Sequence, residues 1–117
     1  MNMDWKIIYY TEGERQPVKE FIDAQFPKAK AKILRNLLLL SEFGPDIGYP
    51  LISNIERNLW ELRTVYQGNQ YRILFAVISG KIILLTHGFQ KKTQKIPKRD
   101  LDLAKRRLKQ FLMKGGY

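Results

Sequence analysis

Three apolar segments in the second half of the chain constrain the fold more than any other sequence feature. They read NLWELRTV, QYRILFAVI and KIILLTHGF, and only YQGN and SG separate them. Segments rich in β-branched and aromatic residues, joined by such short turn-like separators, predict an antiparallel meander of three strands. The last two segments are almost continuously apolar, which indicates that both faces of the sheet are at least partly covered.

The first part of the chain predicts one strand and two helices. DWKIIYY, at residues 4–10, has the aromatic and β-branched composition of a strand. The first helix follows with Pro17 in its first turn, and the second runs from Pro27 to the Gly- and Pro-rich cluster FGPDIGYP. The predicted buried stripe of the second helix comprises Ala29, Ile33, Leu37 and Leu40, widened by Leu34 and Leu38.

A loop and a third helix complete the predicted architecture. Residues 44–58 predict an irregular loop, and Pro97 predicts the start of a helix with Asp100 and Asp102 near its positive end. A chain of 117 residues suits one compact domain. We therefore predict a single α+β domain over residues 1–117, with helices flanking a three- to four-stranded antiparallel sheet in the order β-α-α-β-β-β-α.

The residue types that are missing exclude several kinds of site. The chain has no cysteine and one histidine, which rules out disulfides, thiolate zinc sites, cysteine nucleophiles and two-histidine metal motifs. We predict neither a bound metal nor a cofactor. The sequence MNMDWKIIYYTEGE lacks the features of a secretory signal, and no run reaches the ~18 apolar residues that span a bilayer. We expect a cytoplasmic protein with no membrane partner.

Positive charge is concentrated near the end of the chain. The formal net charge is +10, and the segment from Lys91 to Lys114 supplies +8 of it, with ten basic residues against Asp100 and Asp102. Such a concentration, without a large exposed apolar face, favours a polyanionic partner such as nucleic acid over a membrane. The alternative is a solvated helix whose charge serves only solubility.

Two arginines are expected on the same face of the meander. Arg63 and Arg72 lie on consecutive strands, and a turn centred on Gly68 and either of its neighbours puts both guanidinium groups on one face. An anion such as a phosphate would relieve the repulsion between them, and guanidinium groups suit its geometry. The alternative is that they extend beside the sheet or pair with Glu61 or Glu56.

His87 is the one side chain whose unperturbed pKa, ~6.5, allows proton exchange near neutrality. It stands in HGFQKKTQKIPKRD, where an apolar strand gives way to a run of lysines. This position favours a general acid or base. Strict alternation, however, places His87 with Ile83, Leu85 and Phe89, and on a buried face it would be a structural hydrogen-bonding group.

Lys91, Lys92 and Lys95 form the centre of the predicted site. They lie in the expected connection between the last strand and the third helix, where side chains can converge on a bound strand. Lysine binds phosphate, and crowding by other cations lowers its pKa enough for acid or base chemistry. Phe89, just before them, can stack on an unpaired base or pack in the core.

LWELR, YRILFAV and ILLTHGFQKKTQKIP, carried in this order, resemble the RelE/ParE superfamily of bacterial toxins, specifically its HigB-like, often phage-associated branch. The resemblance covers essentially the whole chain, and the last motif is its most specific part. It implies a RelE-like, microbial-ribonuclease-like fold and the toxin of a type II toxin–antitoxin system. Such a toxin is an endoribonuclease that cleaves mRNA on the ribosome and is held inactive by a cognate antitoxin with a helix-turn-helix domain.

The resemblance also implies roles for particular residues. Arg72 stands where the superfamily's YR motif carries a functional arginine, and the HGF motif matches at His87. The predicted catalytic residues are Arg63, Arg72, His87, Lys91 and Lys92. The predicted RNA contacts are Phe89, Thr93, Lys95, Lys98, Arg99 and Arg106. The basic residues of the third helix, among them Lys105 and Arg107, are expected to contact ribosomal RNA or the antitoxin.

One departure from the superfamily leaves the proton-transfer group open. In its better-known pattern a tyrosine follows the basic cluster, but this chain has no tyrosine between Tyr71 and Tyr117. His87 or a lysine would then take over. Two other functions are also open: a non-enzymatic, ParE-like gyrase inhibitor, which the complete HGFQKKTQK motif disfavours, and a basic nucleic-acid-binding domain without catalysis.

Overall fold

The computed structural model describes residues 5–92 and 95–115, which form three α-helices and a five-stranded mixed sheet. The elements in chain order are β1 (Lys6–Tyr9), α1 (Pro17–Asp23), α2 (Pro27–Phe43), β2 (Ile52–Glu56), β3 (Leu59–Tyr66), β4 (Asn69–Val77), β5 (Ile82–Lys91) and α3 (Lys98–Met113). A short 3-10 helix, Gly44–Ile47, follows α2. Within the described ranges, none of the helices has the length and apolar composition to cross a membrane.

The sheet confirms the predicted meander of β3, β4 and β5 but has more strands than expected. Its order is β1-β5-β4-β3-β2, with β1 parallel to β5 and the other neighbours antiparallel. The predicted three- to four-stranded antiparallel sheet is therefore wrong in strand count and in the direction of β1. The order β-α-α-β-β-β-α lacks one strand, because β2 was expected to be part of a loop.

The two errors have different physical reasons, because β2 pairs with the next strand in the chain whereas β1 pairs with a distant one. In β2 the apolar residues Ile52 and Ile55 are separated by polar ones, and the strand follows a Gly- and Pro-rich segment. Its pairing is set by β3, with Ile52 opposite Leu62. The parallel pairing of β1 joins the first strand to the last, so no local pattern reveals its direction.

The turn between β3 and β4 sets the register that matters for the site. Gln67 and Gly68 have φ angles of +50° and +80°, the pattern of a type I′ turn that matches the twist of a two-stranded hairpin. Arg63 is then directly opposite Arg72. The predicted placement of the two arginines on one face is confirmed.

Helices pack on both faces of the sheet. The larger core lies between α1, α2 and one face, and a smaller core, which includes Leu59, Leu74 and Ala104, lies between α3 and the other. Four residues of the predicted α2 stripe are buried, namely Ala29, Ile33, Leu37 and Leu40. Leu34 and Leu38 are 42% and 48% exposed, so the prediction that they widen the stripe is wrong because the sheet covers a narrower arc of the helix.

A β-bulge in β5 changes which residues share a face. Leu74 pairs with His87, but the next residue of β4, Phe75, pairs with Leu85, so Thr86 is the extra residue. Ile83 and Leu85 therefore belong to the core under α1 and α2. His87 lies on the opposite face of the sheet, which α3 covers. The strict alternation that grouped His87 with Ile83 and Leu85 is wrong at this point.

Candidate functional site

The α3 face of the sheet carries a compact group of charged residues at its centre. Glu61 and Arg63 come from β3, Arg72 from β4 and Lys91 from the end of β5. The register places Arg72 between Arg63 on one side and Phe89 on the other. We refer to Glu61, Arg63, Arg72 and Lys91 as the Glu61 cluster.

Arg72 is the buried centre of the cluster, with no exposed surface. Its Nε lies 3.0 Å from Oε2 of Glu61, which is an ion-pair distance, although the two atoms are not aligned as a hydrogen bond. Its Nη1 donates to the carbonyl oxygen of Tyr71 at 3.3 Å, and Nη2 donates to Oε1 of Gln70. These contacts hold the guanidinium group in one orientation.

Arg63 and Lys91 approach the same carboxylate from its other sides. Nη1 of Arg63 is 3.7 Å from Oε1 of Glu61, and Nζ of Lys91 is 3.9 Å from Oε2. The side chains of Arg63 and Lys91 are 26% and 8% exposed. Because three cations share one carboxylate, the cluster carries an excess of positive charge in a largely desolvated place, and a bound anion would balance it.

The environment of the cluster lowers the pKa of Lys91 and the pKa of Arg72. Burial lowers the pKa of Lys91, Glu61 opposes that shift, and the positive charges of Arg72 and Arg63 add to it. Burial likewise lowers the pKa of Arg72, against the attraction of Glu61. An arginine remains charged in any case. A lysine with a lowered pKa is better suited to proton transfer near neutrality than an ordinary one.

His87 contacts α3. Its Nε2 lies 2.7 Å from Oδ1 of Asp100, and its ring stacks on Phe89 with the centroids 5.4 Å apart. Burial lowers the pKa of His87, and the charge of Arg107 adds to this, whereas the hydrogen bond and charge of Asp100 raise it. A neutral imidazole then donates from Nε2 to the carboxylate and keeps a lone pair on Nδ1. His87 thus links β5 to α3.

The other predicted site residues lie around this face. Lys92 is exposed directly after β5, and Phe89 is partly buried in the smaller core beside Ile96 and Leu101. Four predicted RNA contacts are exposed, namely Lys95 in the connection and Lys98, Arg99 and Arg106 on α3. Thr93 lies outside the described residues.

Two basic residues of α3 hold the helix on the sheet. Nη1 of Arg107 donates to the carbonyl oxygen of Thr86 at 2.9 Å, and its guanidinium group lies over the ring of Tyr10. Lys105 pairs with Glu56. The expectation that these residues contact RNA or the antitoxin conflicts with these contacts for Arg107, whose side chain is only 11% exposed.

Sequence reasoning missed or undervalued several residues of the site. The sequence suggested Glu61 only as a possible ion-pair partner of the two arginines. Its position two residues before Arg63 nevertheless puts both side chains on one face of β3. Asp100 was expected to serve the helix dipole rather than His87. Tyr49, in the predicted loop, lies beneath Arg63, with 5.2 Å between the guanidinium carbon and the ring centroid. No local pattern connects Tyr49 with β3.

Within residues 5–92 and 95–115, no group of three or more His, Asp or Glu side chains is arranged to hold a metal ion. The cations of the Glu61 cluster can bind an anion and stabilise negative charge that develops on it.

Comparison with known protein families identifies the relatives of this chain. A family model described as phage-derived protein Gp49-like (DUF891) matches residues 20–109, about three quarters of the chain. The chain belongs to the Gp49-like family. This family consists of RelE/HigB-type toxins and is associated with toxin–antitoxin systems, which implies an antitoxin as partner of the Gp49-like chain. A comparison with curated proteins finds no match.

Proposed function

We propose that this Gp49-like protein is the toxin of a type II toxin–antitoxin system, in the HigB-like branch, and a metal-free endoribonuclease that cleaves mRNA on the ribosome. The observation that carries the proposal is the excess of positive charge in the Glu61 cluster, where Arg63, Arg72 and Lys91 surround one carboxylate. A phosphodiester is the anion expected there. The family membership supports the toxin role and an antitoxin partner, for which we propose a helix-turn-helix domain.

The proposed reaction uses the nucleophile that RNA itself carries. The ribose 2′ oxygen attacks the adjacent phosphorus, an O2′–P bond forms, and the P–O5′ bond breaks to leave a cyclic phosphate and a 5′ hydroxyl group. Arg63 and Arg72 would stabilise the extra negative charge on the phosphoryl oxygens in the transition state. Arg72 is buried, so it would act through its charge from inside the cluster, and its fixed orientation keeps that charge in place before the substrate binds.

Two proton transfers complete the reaction, and Lys91 is the group we assign to the leaving oxygen. Its pKa is lowered by burial and by the neighbouring arginines, so it gives up a proton more easily than an exposed lysine does. His87 is the second proposed proton-transfer group: its Nδ1 would accept the proton of the 2′ hydroxyl group, because Nε2 contacts Asp100. Lys92 would bind a neighbouring phosphate, and Lys98, Arg99 and Arg106 would contact further RNA, including ribosomal RNA.

The test is induction of the protein in growing bacteria, followed by primer extension on a translated reporter mRNA. Arg63→Ala is the most informative variant because it removes one cation of the Glu61 cluster and leaves the ion pair of Glu61 and Arg72 in place. We expect cleavage to fall about 100-fold or more. Arg57→Ala is the matched control, since Arg57 is exposed in the turn between β2 and β3.

The outcomes separate the proposed function from its alternatives. Cuts within codons that disappear when translation is blocked would support ribosome-dependent cleavage. Growth arrest with gyrase-linked DNA breaks and intact mRNA would overturn the ribonuclease in favour of a gyrase inhibitor. Cleavage that is equally strong in the wild type and in Arg63→Ala would overturn the assignment of the Glu61 cluster.

A further inference from the structure

Tyr49 is an exposed aromatic residue in direct contact with the Glu61 cluster. Its residue surface is 75% exposed, and the guanidinium carbon of Arg63 lies 5.2 Å from its ring centroid. The guanidinium group of Arg63 therefore lies over the ring, and most of the surface of Tyr49 remains accessible to solvent. In the described part of the chain two other rings lie under cations, but Tyr10 is buried and Trp5 is half-buried.

The segment that carries Tyr49 is held on both sides by backbone hydrogen bonds. The amide of Ile52 donates to the carbonyl oxygen of Gly48 at 2.9 Å, and the amide of Arg63 donates to the carbonyl oxygen of Leu51 at 2.9 Å. The second bond joins the segment to the strand that carries Arg63. The backbone of Tyr49 is thus fixed beside β3 before any ligand binds, which keeps the ring near the cluster and reduces the entropy lost on binding.

From this arrangement we propose that Tyr49 is a stacking platform for one nucleobase of a single-stranded RNA whose phosphate lies at the Glu61 cluster. The inference rests on the proposed function for its ligand. Arg63 contacts both parts of the site, so a nucleotide with its phosphate at Arg63 has its base next to the ring. Stacking requires an unpaired base, because bases in a duplex already stack on one another.

The role depends on the ring and not on its hydroxyl group. Every base has a π-face, so stacking is tolerant of sequence. The platform would therefore add affinity and would fix the position of the strand over Arg63 and Arg72, without selecting a particular base. Tyr49→Phe keeps the ring and Tyr49→Ala removes it, which makes this pair of variants the decisive comparison.

The experiment is a fluorescence titration of the purified protein with a short single-stranded oligoribonucleotide. The oligonucleotide contains a fluorescent adenine analogue, whose emission is quenched by stacking, and its ribose hydroxyl groups are methylated so that it cannot be cleaved. We expect quenching and equal affinity for the wild type and Tyr49→Phe. For Tyr49→Ala we expect the quenching to be lost and binding to weaken about tenfold. Phe26→Ala is the control, since Phe26 is also 75% exposed but precedes α2.

Three results would overturn the platform: no quenching with the wild-type protein, equal binding and quenching by Tyr49→Ala, or an equal loss in Tyr49→Phe and Tyr49→Ala. The primer-extension assay keeps this inference distinct from the proposed function. Intact mRNA together with the expected binding results for the Tyr49 variants would overturn the proposed ribonuclease activity but support the stacking role of Tyr49. Normal cleavage by Tyr49→Ala together with unchanged binding would remove the platform alone.

Discussion

Arg72 and Glu61 are both almost fully buried, with side-chain exposures of 1% and 2%, and their nearest charged atoms are 3.0 Å apart. A buried carboxylate that loses its closest cation is costly because water cannot replace the missing partner. Arg63 and Lys91 stay within 3.9 Å of Glu61 and compensate for part of the loss. At the residue scale, the contacts of Glu61 with its three cations both stabilise this face of the sheet and position the cations that we propose to bind phosphate.

Arg72→Ala is expected to lower the free energy of unfolding by about 3 kcal/mol, because it leaves Glu61 without its nearest cation. Urea denaturation of the purified variant measures this change. The double variant Glu61→Ala/Arg72→Ala is the control, since it removes both charges together. We expect its cost to be clearly smaller than the sum of the two single changes. Additive costs would show that the pair is not coupled.

The stability of the protein is expected to depend on His87 at mildly acidic pH. Its pKa is lowered in the folded state by burial, so the unfolded chain binds a proton more readily. The contribution of neutral His87 is fully present above the unfolded pKa, ~6.5, and is lost as the pH falls below that value toward the lower folded pKa. The slope from this one group is at most about 1.4 kcal/mol per pH unit.

Comparison of the wild type with His87→Gln tests this expectation. Glutamine keeps a hydrogen-bond donor for Asp100 but does not titrate. Urea denaturation between about pH 7 and pH 5 should show a steeper loss of stability for the wild type than for the variant. Parallel curves for the two proteins would mean that His87 has the same pKa in the folded and unfolded states.

At the scale of elements, the attachment of α3 to the sheet organises this face of the molecule. Asp100, in the first turn of α3, contacts His87, and Arg107 further along the helix contacts the bulge residue Thr86. Ala104, between them, is buried against the sheet. One polar contact on each side of Ala104 thus fixes the helix, and both polar contacts are made to residues of β5 at or next to the bulge.

Adjacent arginines on α3 should behave differently. Arg107→Ala is expected to lower the free energy of unfolding by about 1–3 kcal/mol, because it leaves the buried carbonyl oxygen of Thr86 without its donor. Arg106→Ala should change it by less than about 0.5 kcal/mol, since Arg106 is exposed. Thermal or urea denaturation of the two variants provides the comparison. Equal losses would argue against the orientation of α3 described above.

At the scale of the whole molecule, the net charge of +10 attracts any polyanion, and only contact geometry separates specific from general attraction. Two exposed lysines illustrate the difference. Lys92 follows β5 at the proposed site, and Lys28 lies on the outward side of α2. Replacement of either lysine lowers the total charge by the same amount. A difference between the two variants therefore reports contact with RNA rather than long-range attraction.

The salt dependence of binding to a single-stranded oligoribonucleotide measures that contact. Removal of one phosphate contact makes the log–log slope of affinity against salt concentration shallower by about 0.7. We expect this change for Lys92→Ala and no change of slope for Lys28→Ala. A shallower slope for Lys28→Ala alone, or identical slopes for the two variants, would place the RNA elsewhere on the molecule.

Local patterns in the sequence were sufficient for the elements that depend on local interactions. The meander, the three helices and the placement of Arg63 and Arg72 on one face follow from apolar periodicity, Pro17 and Pro27 at helix starts, and the turn at Gly68. These features depend on residues close together in the chain. The excess of basic residues and the motif around HGFQKKTQKIP were likewise visible in the sequence, and the motif pointed to toxins of the RelE/HigB type, to which the Gp49-like family belongs.

Only the tertiary structure decided how distant segments meet. The direction of β1 depends on a strand far away in the chain, and pairing with β3 makes β2 a strand although its own apolar pattern is irregular. The bulge at Thr86 changes the face of His87 without any local signal. The contact of Tyr49 with Arg63 likewise joins a turn to a strand that it does not precede directly. Periodicity reports which residues are apolar, but the partner of each charged residue is set by packing between elements, where burial makes an unpaired charge costly.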